Sequence, residues 1–207
     1  AVDAGFTTLV LTVDLAVLGP RDRERRVAWV QPEADVPTAI HARNAGLEPD
    51  ADGLTVLDPA LDWSYVEHLR TRFGLPVVLK GILTAEDAVL AAEHGATGIV
   101  VSNHGGRQLD LATPSIDALA EVVDAVGDRI EVLVDGGIRR GSDILVALAL
   151  GARGVMAGRT PLWGLAAAGE AGATEVLELL RDEVEIGLHL LGCAGPSEVT
   201  RAHVAQG

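Results

Sequence analysis

His104 and Arg107 share the short run Ser102–Asn103–His104–Gly105–Gly106–Arg107. Histidine is the side chain best suited to take a proton near neutral pH. An arginine beside it suits a carboxylate, which it binds through two parallel hydrogen bonds. The paired glycines make the run an exposed, cationic loop. Asp14 ends the run Leu11–Thr12–Val13–Asp14 far upstream, and a carboxylate there would orient His104 and stabilise its imidazolium. Asp135–Gly136–Gly137 is followed by Arg139, and Gly158 is followed by Arg159. Glycine N–H groups left open near helix starts, with arginines beside them, form an anion grip. They point to a phosphorylated cofactor, although any one of them alone would read as a turn glycine with a surface arginine. Lys80 is the only lysine in the chain and directly follows Pro76–Val77–Val78–Leu79. A fixed cation at that point would stabilise an anion or a perturbed base.

These groups need a frame, and the apolar pattern supplies one. Thr8–Val13 is continuous and β-branched, as in a strand buried on both faces. Pro76–Leu79, Gly98–Val101, Glu131–Val134 and Gly154–Ala157 read the same way. Helical spacing occupies Thr84–Glu93, Ser115–Val126, Gly141–Leu150 and a last stretch from about Ala173 to Leu191. Thr84 and Ser115 are expected to be N-caps. Strand–helix alternation implies right-handed crossovers and a parallel α/β sheet of five units. Every chemistry-bearing residue then falls just after a strand, at the carboxyl end where active sites of such folds lie. Residues 20–62 break the rhythm and are expected to form a lid-like loop over that end within one domain spanning 1–207.

Composition narrows the partners. The formal net charge of −14 argues against nucleic acid and anionic membrane surfaces. One cysteine, Cys193, excludes an intrachain disulfide framework and a cysteine-rich zinc site. It has no evident histidine partner and reads as an inert thiol. No apolar run approaches the ~20 residues of a membrane span. The first residues lack the features of a signal peptide, which suggests a cytoplasmic chain. They read instead like a chain beginning in mid-domain.

Five runs together resemble a known family: LTVD at 11–14, LPVVLKGILTAEDA at 75–88, IVVSNHGGRQLD at 99–110, VDGGIRRGSDILVALALGA at 134–152 and GRTPLWGLAAAGEAG at 158–172. They are similar to the FMN-dependent 2-hydroxy acid oxidases and dehydrogenases, over roughly residues 1–27 and 57–195. SNHGGRQLD is the most specific of them. The resemblance implies a (β/α)8 TIM barrel, of which this chain would supply about units four to eight. It also implies FMN as cofactor and oxidation of an (S)-2-hydroxy acid to a 2-oxo acid, with oxygen or another acceptor taking the electrons.

By position, His104 resembles the family's active-site base and Asp14 its carboxylate partner. Arg107 and Arg21 resemble the two guanidiniums on the substrate carboxylate. Lys80 resembles the lysine beside the flavin pyrimidine, and Thr12 and Ser102 resemble flavin-ring contacts. Asp135 resembles the ribityl contact. Gly136, Gly137, Arg139, Gly158 and Arg159 resemble the phosphate loops.

The chain departs from the family at Leu15–Ala16, where Thr-Pro is usual, and at Pro20–Arg21, where a double arginine is common. The family's tetramers imply a homo-oligomer. A chain that needs a missing amino-terminal half is the alternative reading. An FMN barrel that isomerises a phosphorylated substrate is a third, and the His104–Arg107 pair counts against it.

Overall fold

A computed structural model of the chain describes residues 2–20, 26 and 57–205. Arg21 and most of the expected lid at 20–62 lie outside the described residues. Within them the order is strand β1 (Leu9–Thr12), helix α1 (Ser64–Phe73), β2 (Val77–Ile82), α2 (Ala85–Glu93) and β3 (Gly98–Val101). Helix α3 (Ser115–Val126), β4 (Glu131–Asp135), α4 (Gly141–Ala149), β5 (Gly154–Met156) and α5 (Arg159–Leu191) follow. The five strands are all parallel and lie in chain order. Each pairs with the next, as successive strands of a (β/α)8 barrel wall do.

The core lies between this sheet and its helices. Leu79, Ile99, Leu119, Val122 and Val126 are fully buried. Burying each such side chain contributes about 1.5–3 kcal/mol relative to leaving it in water. On α3 the buried Ala118, Leu119, Val122 and Val126 recur at the spacing of one helix face. The central strand β3 is buried throughout. The outer strands differ from the expectation of burial on both faces: Val10 of β1 is 54% exposed and Met156 of β5 is 41% exposed. Among the described residues each has a strand neighbour on one side only.

Several elements depart from the sequence reading. Helix α1 carries Glu67, Arg70 and Arg72 and buries only Val66, so its apolar stripe is too thin to show in the pattern. Thr84 does cap α2, its hydroxyl accepting from Asp87 N at 3.2 Å. Ser115 does not cap α3: Pro114 holds the N-cap position, and Ser115 Oγ accepts from Asn103 N at 3.1 Å instead. The stretch Arg159–Leu191 is two helical segments that meet at a kink, where Ala168 and Gly169 leave helical φ/ψ; the second runs to Leu191 and starts close to the expected Ala173, and the first is additional. Gly164 and Gly172 pack backbone to backbone across that bend, which only hydrogen in place of a side chain permits. Lys80 and Gly81 lie inside β2, at an irregularity in its pairing with β3, not beyond its end.

Candidate active site

The register of the sheet brings the polar residues together. Lys80 on β2 pairs with Thr12 on β1 and Val100 on β3. Its side chain passes over the end of β3, where Nζ donates to Ser102 Oγ at 2.9 Å. The same nitrogen lies 3.0 Å from Asp135 Oδ2 at the end of β4. Three neighbouring strand ends are thereby joined through one ammonium group. Ser102 is fully buried, and its oxygen also accepts from His104 N at 3.1 Å.

His104 follows in a tight turn. Asn103 Oδ1 accepts from Gly106 N at 3.1 Å and closes that turn. His104 itself has φ 57°, in the left-handed region that non-glycine residues rarely occupy. Its Nδ1 lies 3.0 Å from Asp14 Oδ1. With the carboxylate accepting, the proton sits on Nδ1 and the lone pair of Nε2 is left to act as a base. The expected Asp14–His104 pair is therefore formed, from strand ends far apart in sequence.

Asp14 is held from below by Gly81. A Cβ on Gly81 would lie 2.7 Å from both Cβ and Cγ of Asp14, and the φ of 116° is one that side chains other than hydrogen avoid. Gly81→Ala is expected to displace Asp14 from His104 and lower stability by about 1–3 kcal/mol. Chemical denaturation, together with the imidazole nitrogen spectrum of His104, checks both effects.

A cleft of about 430 Å³ opens at this end of the sheet, lined by Lys80, His104, Arg107, Asp135, Arg139 and Arg159 among others. Among the described lining residues four cations, Lys80, Arg107, Arg139 and Arg159, stand with one carboxylate, Asp135, in a chain of net charge −14. Such a local field draws anions into the cleft. Gly136 and Gly137 line it with φ of 90° and 79°, and a Cβ on Gly137 would meet nothing within 4 Å. Gly158 is the N-cap of α5 and is equally open. Arg159 Nη2 donates to Gly105 O at 3.0 Å, tying the start of α5 to the histidine loop. Thr160 Oγ1 donates to Ile138 O and fixes the glycine pair against the start of α5. Arg139 lies over the ring of Trp163, 5.9 Å from its centroid.

The residues fit a phosphorylated polyol cofactor. Asp135 Oδ1 is buried without a partner. An unpaired buried acceptor is costly, and a ligand hydroxyl would satisfy it. The open glycines and Arg139 and Arg159 suit a phosphate a few ångströms away.

A larger cleft, about 600 Å³, lies among Thr97, Glu131 and Arg153 at the opposite ends of the strands. It gathers no comparable set of reactive groups, so the smaller cleft is the candidate site.

Thr12 ends β1 beside Lys80, at the same edge of the sheet. Arg21 lies outside the described residues. Cys193 differs from the sequence reading: its sulfur lies 3.9 Å from His203 Nε2. His203 Nδ1 accepts from Thr200 N at 3.0 Å, so the ring turns an N–H toward the sulfur and is no base for it. Among the described residues no cluster of histidine, cysteine or carboxylate side chains is placed to hold a metal. No helix there is long and apolar enough to cross a membrane. The sequence pattern assigns no contact to Gln108 or Gly81, and it assigns Ser115 to a helix cap where the structure uses its hydroxyl for Asn103 N. The long-range contacts of these residues leave no periodic trace.

A parallel α/β barrel wall carries, at its carboxyl end, an Asp14–His104 pair and a cleft lined by open glycines and arginines. The chain belongs to the FMN-dependent dehydrogenase family, whose pattern it matches over residues 1–206. It is 50% identical over 200 residues to the L-lactate oxidase of Nostoc sp., covering 92% of this chain and 54% of that protein. It is 48% identical over 209 residues to the peroxisomal (S)-2-hydroxy-acid oxidase GLO4 of Oryza sativa subsp. japonica, covering 99% of this chain and 57% of that protein. It is 47% identical over 213 residues to the 4-hydroxymandelate oxidase of Amycolatopsis orientalis, covering 100% of this chain and 60% of that protein.

Among solved structures, a mandelate oxidase mutant with a C4a-OH-FMN adduct superposes with a TM-score of 0.84 at 46% identity, over 97% of this chain and 56% of that one. The chain thus spans a little over half the length of the relatives it matches. The expected fold class, a (β/α)8 barrel of which about units four to eight are present, is the one found.

Proposed function

We propose that residues 1–207 are the C-terminal part of one FMN-binding barrel domain, about units four to eight, in an enzyme that uses FMN to oxidise an (S)-2-hydroxy acid to a 2-oxo acid. The observation that carries this reading is the Asp14–His104 pair, at 3.0 Å, facing a cleft with four cations. Bound FMN supplies the two-electron acceptor. Lys80, Thr12 and Ser102 are the residues for its ring, Asp135 for its ribityl chain, and Gly136, Gly137, Arg139, Gly158 and Arg159 for its phosphate.

Arg107, with Arg21 as its proposed second, holds the substrate carboxylate and so orients the hydroxyl-bearing carbon. His104 Nε2 takes one proton from the substrate. That proton comes from the hydroxyl if the α-hydrogen leaves as hydride, or from the α-carbon if electrons follow the proton. Asp14 stabilises the imidazolium in either case. Lys80 supplies positive charge close to where negative charge collects during electron transfer. Reoxidation falls to oxygen or another acceptor, and a cytoplasmic homo-oligomer is the form proposed.

The test is anaerobic addition of L-lactate and (S)-mandelate to the FMN-loaded protein. Bleaching of the flavin bands by either is expected, and it identifies the substrate class. Retained bands would sink the assignment for these substrates. A second reading is favoured by the open outer strands β1 and β5: flavin is held only when the remaining barrel units are supplied. Failure to bind FMN alone, reversed by adding an amino-terminal half from a relative, would select it.

A further inference from the structure

We infer that Gln108 is a positioning residue for the proton transfer proposed above, on which this inference rests: its amide ties the Asp14 segment to the His104–Arg107 loop and so sets the Asp14–His104 hydrogen bond. Asp14 lies two residues past the end of β1. The sheet-type bonding reaches only to Val13, whose N–H donates to Lys80 O at 2.8 Å. Beyond it, Gln108 Nε2 donates to Asp14 O at 2.8 Å and to Val17 O at 2.9 Å. Gln108 Oε1 accepts from Gly19 N at 3.2 Å. Two carbonyls and one N–H fix the orientation of the amide, because a flipped group would set oxygen against oxygen. Both amide protons are used.

Gly19 adds a second, independent contact. A Cβ there would lie 2.6 Å from Gln108 O and 2.9 Å from Arg107 O, so the two loops meet backbone to backbone. Gln108 follows Arg107 directly. One side chain therefore fixes the register between the loop with the proposed base and the segment with its carboxylate partner. That segment runs on to Pro20, next to Arg21. A simple loop staple would add stability and leave the state of the imidazole untouched. A positioning residue changes that state, and the experiment reads this difference.

Gln108→Met keeps chain length and removes all three bonds. Nitrogen NMR of histidine-labelled protein, at a pH where His104 is neutral, should show the parent proton on Nδ1. His104→Asn assigns the signal. In Gln108→Met the proton is expected to divide between Nδ1 and Nε2, as in Asp14→Asn. The rate of flavin reduction at saturating substrate is expected to fall by roughly 10- to 100-fold, as for a reacting group displaced by about 1 Å. Gly19→Ala pushes the loops apart from the other side and should give the same spectral change. It also serves as the test if Gln108→Met does not fold. The double variant should be no slower than the slower single one, since both break one clamp.

An unchanged His104 spectrum in folded variants, with rates within about twofold of the parent, would overturn the inference. Multiplying losses in the double variant would also overturn it. If the parent reduces no flavin with any 2-hydroxy acid, the proposed function fails, and the spectrum still decides the clamp.

Discussion

Replacing His104 by asparagine is expected to slow substrate-dependent flavin reduction by about 10²–10⁴-fold, the usual contribution of a positioned general base. Asparagine is the informative choice because His104 has φ 57°. Asparagine tolerates the left-handed region, whereas alanine or glutamine would add backbone strain to the loss of the imidazole. The neighbouring groups stay put. Ser102 Oγ still accepts the backbone N–H of residue 104, since that bond does not involve the side chain. Lys80 keeps both its partners. Flavin affinity should therefore remain close to the parent value while turnover collapses.

Asp14 loses its hydrogen bond to the imidazole in that variant, and its other oxygen is buried without a partner among the described residues. A modest loss of stability, about 1–3 kcal/mol, should accompany the rate effect. Asp14→Asn in the same background should relieve part of it. Stopped-flow reduction under anaerobic conditions and a flavin-binding titration separate the two effects. A rate within tenfold of the parent would remove His104 from the role of base.

Lys80→Met is expected to cost both stability and flavin. The Lys80–Asp135 pair is largely shielded, with side chains 15% and 16% exposed. Among the described residues, removing the ammonium leaves the Asp135 carboxylate with no partner on either oxygen, because Oδ1 is already unpaired. Breaking a buried pair on one side costs about 3–5 kcal/mol, and the partial exposure here reduces that to about 2–4 kcal/mol. Removing the second charge reverses the sign of the argument. Lys80→Met with Asp135→Leu should regain most of the stability, since two apolar groups replace a pair that was costly to desolvate.

Flavin affinity should stay low in both variants, because the cation and the carboxylate are each proposed to contact the cofactor. Urea unfolding and quenching of flavin fluorescence measure the two quantities on the same samples. A double variant as unstable as the single one would show that packing, not the stranded charge, sets the loss.

Much of this molecule is legible before folding. The β-branched runs at Gly98–Val101 and Glu131–Val134 announce buried parallel strands, and the structure places β3 and β4 there. The glycine and arginine pairs after the last two strands mark one end of the sheet, and the cleft opens there. Helix α1 is not legible because Val66 is its one buried residue, with Leu69 only partly buried against the core. The cap at Ser115 misled for a different reason. A serine hydroxyl at a helix start accepts whichever N–H lies nearest, and the fold brings Asn103 N to it.

By itself the sequence determined the alternation of strands and helices, the polar residues at strand ends, and the net charge against which a cationic cleft stands out. The first two are local, depending on the spacing of side chains within one element or on the residue after it, and the charge is a sum over composition. The tertiary structure alone decided that Lys80 reaches Asp135 across Ser102, that Gly81 supports Asp14, and that Gln108 clamps a segment 94 residues away. Such pairings depend on strand register and on crossovers that stack successive units side by side. No periodicity within the chain encodes which two distant strand ends will come within hydrogen-bonding distance.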